Sequence, residues 1–181
     1  MKRNIALAAG ALALAAASAA WAANLRLFSY DAADAETRRV AGGVTIEFRQ
    51  HLTRAEPVRL RATAGQASAP LRRAEDRELG ATLGAVIGES APERDLFEVM
   101  REDEGADLVR AFCPGSSRAW LSFGRIRANQ PLTVHVLGDN PGGGPARRCR
   151  TLRFQFRGEW RLPPRRNRVP DNELPVPRFP Y

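Results

Sequence analysis

The chain has 181 residues, with 28 Lys and Arg against 20 Asp and Glu, a net charge of +8, and only two histidines and two cysteines. That length supports one core of ordinary size and is short for two domains. The basic balance argues against an inhibitor of basic lysozymes, whose electrostatic complement is acidic, and two histidines leave little material for acid–base or metal chemistry.

Met1-Lys2-Arg3 is a short positive segment, Ile5 to Ala17 is an apolar run of mostly Ala and Leu, and Ala20-Trp21-Ala22 fits a small-x-small cleavage pattern. Residues 1–22 therefore read as a cleaved signal peptide, because the run is shorter than the ~20 apolar residues of a membrane span. No cysteine follows the cleavage site to carry a lipid, and no twin-arginine pair precedes the run. The expected product is a periplasmic or secreted chain with no membrane span after cleavage, and export also argues against a nucleic-acid partner. Removing Lys2 and Arg3 from the 28 positives leaves 26 against 20 acids, a net +6, and every one of the 26 is arginine.

From residue 23 to residue 160 the dominant signal is apolar–polar alternation bounded by turn residues, the period of half-buried strands. The candidate strands are Leu25 to Tyr30, Val44 to Arg49, Val58 to Arg61, Leu96 to Arg101, Asp107 to Cys113, Arg118 to Ile126, Leu132 to Leu137 and Arg150 to Trp160. About eight strands imply a mainly β chain, an antiparallel sandwich or barrel. Leu79, Leu83, Val86 and Ile87 repeat at helical spacing, after Glu75 and Asp76 and before Gly88, and predict one short helix. Asn140 to Arg148, "NPGGGPARR", reads as a flexible hairpin connection; its glycines beside Arg147 and Arg148 also offer a weak anion nest. Residues 161–181 are rich in Pro and Arg and predict an extended tail, with docking to a partner as its sharper alternative.

The stretch Ala111 to Arg125, "AFCPGSSRAWLSFGR", holds the most chemistry-bearing residues. Cysteine catalysis needs a base in hydrogen-bond reach and a group to orient it, and Cys113, His135 and Asp139 make such a set on paper only. "PGSSR" matches neither the G-x-S-x-G elbow nor a Ser-x-x-Lys pair. Cys113, Cys149, His51 and His135 are zinc-ligand types without the short paired spacings of zinc sites, so no metal and no cofactor is expected. The carboxylate pairs Glu102 with Glu104 and Asp34 with Glu36 lie in charged turns. In an exported chain two cysteines most simply form one disulfide; Cys113 to Cys149 closes 37 residues, for which chain entropy gives roughly 3 to 4 kcal/mol.

Arg59 and Arg61 on one strand, and Arg153 and Arg157 on another, lie opposite the apolar positions. Together with Arg147 and Arg148 they are the anion-binding candidates, because guanidinium forks match phosphate and carboxylate. Cross-strand pairing with Glu47 or Glu98 is the competing role. The functional expectation is an exported, non-catalytic binding module for an anionic cell-envelope component or a protein partner. The alternatives are an envelope hydrolase using His135 or a carboxylate pair, and a structural subunit docking through its tail.

Overall fold

The computed structural model describes residues 25–50 and 55–161. The expected signal peptide, His51 and the tail from residue 162 onward lie outside the described residues. Eight strands run in chain order: β1 (Leu25–Ala32), β2 (Gly43–Gln50), β3 (Ala55–Ala62), β4 (Ser68–Arg73), β5 (Asp95–Val99), β6 (Ala119–Phe123), β7 (Leu132–Gly138) and β8 (Arg147–Arg161). Each pairs antiparallel with the next, and β8 pairs back onto β1, so the sheet closes into a barrel. Of the sandwich and the barrel, the chain adopts the barrel, which leaves no unpaired sheet edge.

The alternation in the sequence is what fills it. Phe28 and Tyr30 of β1 stand opposite Ile46 and Val44 of β2 in the register, and all four join Leu60, Leu121, Val136, Leu152 and Phe154 in one core. An eight-stranded barrel is just wide enough for side chains to fill. Tyr30 is buried with no partner for its hydroxyl among the described residues, and burial pushes its pKa up to about 12.

Three helices interrupt the meander: α1 (Ala35–Val40), α2 (Leu83–Ile87) and α3 (Gly105–Phe112). The segment Asp107 to Cys113, expected as a strand, is therefore helical. Leu108, Val109 and Phe112 lie on one helical face, and all three are buried in the barrel core. Conversely Ser68 to Arg73 is a strand that the sequence conceals, because Pro70 interrupts its alternation. Its backbone contributes through the carbonyl instead, accepting from the Met100 amide at 3.0 Å. The two differences cancel in the strand count. The single helix expected around residues 79–87 is in two pieces, a 3₁₀ turn Asp76–Leu79 and α2, broken at Gly80 with φ 68°. The short α1 was not anticipated; Asp34 caps it by accepting from the Thr37 amide at 2.7 Å.

The connection from β4 to β5 lies against the outer wall. Its Leu79, Leu83 and Ile87 pack on Leu96, Trp120 and Leu137, which point away from the barrel interior. That second layer explains why β5, β6 and β7 are buried on both faces. Arg72 and Arg118 rivet it: both bind Glu78 of the 3₁₀ turn and Glu98 of β5, and the Arg118 guanidinium lies 4.6 Å from the Trp120 ring centre. The bonds from Arg72 hold the Glu78 carboxyl below its ordinary range, against the opposing effect of burial.

Cys113 and Cys149 are bonded, with Cα atoms 5.3 Å apart. The link ties the C-terminal end of α3 to β8. Gly138 of β7 sits over it, and a Cβ there would collide with the Cys113 sulfur and the Ser116 hydroxyl. Among the described residues no helix is long and apolar enough to cross a membrane.

Candidate functional site at the open end of the barrel

The two ends of the barrel differ because odd and even connections fall at opposite ends of a meander. The β1–β2, β3–β4, β5–β6 and β7–β8 connections share one end, where α3 contributes Leu108, Val109 and Phe112 to the core and Val40 of α1 packs against it. At the other end no helix of the described residues enters the core, and the β4–β5 connection is spent on the outer wall. A pocket of about 490 Å³ opens there, within the ordinary range of small-molecule sites.

Its floor is apolar. Phe28 of β1, Phe48 of β2 and Phe123 of β6 come from three separate strands and are 9%, 4% and 2% exposed. Phe28 and Phe48 meet at 5.2 Å between ring centres, and Phe123 stacks on Phe97 at 5.0 Å. Pro57 and Ile126 complete the apolar lining. The rim is charged. Arg26 and Glu159 pair at 2.6 Å across β1 and β8, and Arg73 and Asp95 pair at 2.7 Å across β4 and β5. Arg125 and Arg127, on the β6–β7 connection, also line the mouth and are exposed. Neither has a hydrogen-bond or ion-pair partner among the described residues. Among the described residues four arginines thus face two carboxylates at the mouth, and both carboxylates are already matched, which leaves Arg125 and Arg127 without a described counter-charge. A second hollow of about 380 Å³ is lined by Asn129, Gln130 and Pro131 of the same connection, with Gln155 and Phe156 of β8.

The arginines singled out in the sequence lie elsewhere. Arg59 and Arg61 of β3 and Arg153 and Arg157 of β8 are separated by β1 and β2, so the two rows do not adjoin. Arg59 binds Asp103 at 2.9 Å and the Ser68 hydroxyl at 3.1 Å, and Arg61 faces Glu47 at 3.5 Å. Arg153 stands 3.9 Å from Asp34, and Arg157 stands 3.4 Å from Asp31. Arg147 donates to the Pro114 carbonyl at 3.0 Å, and Arg148 donates to the Ile87 carbonyl at 3.1 Å, on either side of the Gly-Pro connection. Each of the six has a partner within the fold.

The other candidates are also distributed. The Asp139 carboxylate is spent on the turn beside it: it accepts from the Ser117 hydroxyl at 2.6 Å and from the Ser117 and Arg118 amides at 2.8 Å. Burial raises its pKa most strongly, but those three donors together outweigh burial and leave the carboxyl below its ordinary range. Asp34 caps α1 and Glu36 binds Arg150, while Glu104 accepts from the Ser68 amide at 3.0 Å. The Cys113 sulfur is committed to Cys149.

His135 has an arrangement that the sequence did not disclose. On the outer wall its Nδ1 lies 3.1 Å from the Thr151 hydroxyl and its Nε2 lies 3.3 Å from the Glu93 carboxylate, both His135 and Glu93 being buried. Glu93 comes from the β4–β5 connection, so the contact fastens that connection to β7. A hydroxyl, an imidazole and a carboxylate in a row also have the order of a nucleophile, its base and an orienting acid. Neither hollow at the open end is lined by any of the three.

No family model matches the chain, and neither a curated protein nor a solved structure matches it.

Proposed function

We propose that the chain is an exported, non-catalytic binding module whose ligand enters the open end of the barrel. The observation that carries this is the asymmetry of the two ends: a helix fills one, and the other keeps an aromatic-floored pocket of about 490 Å³. Buried apolar floors with a few convergent polar groups are the usual form of small-molecule sites. Export is supported by the leader-like residues 1–22 and by the Cys113–Cys149 bond, which suits an oxidising compartment such as a bacterial periplasm. The proposed partner class is a cell-envelope component, with the mouth rather than the outer arginine rows as its contact.

The test is native mass spectrometry of the protein purified from an envelope fraction, alongside Ala55→Trp and Ala128→Trp. Both substitutions sit at exposed lining positions and are expected to obstruct the mouth while leaving the barrel folded by circular dichroism. A co-purifying small molecule that both variants lose supports the reading. A ligand retained by both variants, or a protein that stays empty after incubation with envelope extract, overturns it.

One observation favours a second reading, a hydrolase at the Thr151–His135–Glu93 row. It predicts ester hydrolysis abolished by Thr151→Ala with the fold retained; hydrolysis unchanged in that variant, or absent from the parent, removes it.

A further inference from the structure

Resting on the mouth as the ligand site, we infer that its ligand is a small amphiphilic anion, with an apolar tail and a single carboxylate or phosphate head. The tail is argued from the floor. Phe28, Phe48 and Phe123 line a space walled by Pro57 and Ile126, where a polar or extended sugar-like ligand would leave its hydroxyl groups without partners. The head is argued from the rim. Arg26 and Arg73 are neutralised by Glu159 and Asp95 at 2.6 and 2.7 Å, so they hold the rim together without demanding a ligand. Arg125 and Arg127 line the same mouth with no partner of their own among the described residues. Guanidinium groups match carboxylate and phosphate oxygens in a bidentate manner, whereas a cationic head would meet repulsion from them. The placement orders the molecule: tail against the phenylalanines, head at the β6–β7 connection.

The experiment is isothermal titration of the purified full-length mature protein with decanoate, decyl phosphate, 1-decanol, decyltrimethylammonium and acetate. The protein variants are the parent, Arg125→Ser with Arg127→Ser, Ala55→Trp and Ala128→Trp. Decanoate or decyl phosphate is expected to bind saturably at one site, and whichever binds more tightly names the head. Decanol and decyltrimethylammonium are expected to be weaker by about tenfold or more, the loss of at least one charge-assisted hydrogen bond. Acetate, which lacks a tail, is expected not to bind. The double arginine variant should bring the anions down to the level of decanol, and raised salt should weaken them in the parent but not in that variant.

Decanol binding as tightly as decanoate, unchanged by the arginine substitutions and blocked by Ala55→Trp, overturns the anionic head while leaving the mouth as the site. Anion binding that survives both tryptophan variants overturns the mouth and the inference together. Failure of every amphiphile to bind the folded parent overturns the inference, whereas a different molecule co-purifying in the mouth would leave the binding-module reading intact.

Discussion

Reducing the Cys113–Cys149 bond is expected to cost the barrel a large part of its stability. The bond closes a loop with a sequence separation of 36, and the chain-entropy model assigns such a loop roughly 3 to 4 kcal/mol through restriction of the unfolded chain. The native side adds to that figure. Cys113 is fully buried, and Gly138 and Ser116 press on its sulfur, so two separate thiols must be accommodated in a space packed for one bond. The loop spans β6, β7 and the start of β8, and the bond pins the end of the helix that closes the barrel. Two other ties to β8 remain there, the Arg150 guanidinium donating to the Phe112 carbonyl at 3.1 Å and the Arg147 guanidinium donating to the Pro114 carbonyl at 3.0 Å. For a domain of this size 1 kcal/mol moves the melting point by roughly 3 to 5 °C, so reduction should lower it by roughly 10 to 20 °C. The assay is guanidinium unfolding and calorimetry of oxidised and fully reduced protein, with thiol counting before and after. Hydrogen exchange should locate the added native-state opening at Leu108 to Phe112 before it reaches β1 and β2. Midpoints that agree within about 0.5 kcal/mol would refute the loop-closure reasoning, and uniform exchange across the barrel would refute the local role at α3.

Other expectations follow from the same packing. Phe112→Ala should destabilise by about 3 to 5 kcal/mol, because a fully buried ring leaves a cavity at the closed end; urea unfolding measures it, and a loss under about 1 kcal/mol would mean that α3 does not close the barrel. Gly138→Ala should cost about 1 to 3 kcal/mol by overpacking against the disulfide, and a melting point equal to the parent's would show that β7 has room there. The Asp139 carboxyl is held below its ordinary range, so its contribution is present above the unfolded carboxylate pKa and is lost as pH falls through the lower folded value. Asp139→Asn should therefore flatten the acid limb of stability against pH, and unchanged limbs in paired urea titrations would count against the donor set at Ser117 and Arg118. Glu93→Gln should cost about 1 to 3 kcal/mol by disturbing the buried contact with His135, and a double-mutant cycle with His135→Leu that shows no coupling would remove the fastening role of this pair.

The alternation of Val44, Ile46 and Phe48, or of Leu152 and Phe154, determined by itself that these segments are strands with one buried face, because a period of two is a property of consecutive residues. The same local logic gave the disulfide, since a chain with two cysteines has one internal pairing. Where a segment's apolar pattern was ambiguous, the tertiary structure decided. Leu108, Val109 and Phe112 serve equally well in a short buried strand or on a helix face, and the barrel end opposite the mouth, which needs a plug, selects the helix. Pro70 hides β4 locally, yet the strands on either side hold it in place. The outward arginines were legible as a charged face, but whether they were free depended on Asp103, Glu47, Asp34 and Asp31, which come from other segments of the chain. The mouth was not legible at all. Its floor takes one phenylalanine each from β1, β2 and β6, and its rim joins Arg26 to Glu159 across a separation of 133 residues. Nothing local marks such residues as neighbours, because their meeting is set by closure of β8 onto β1, a property of the whole sheet.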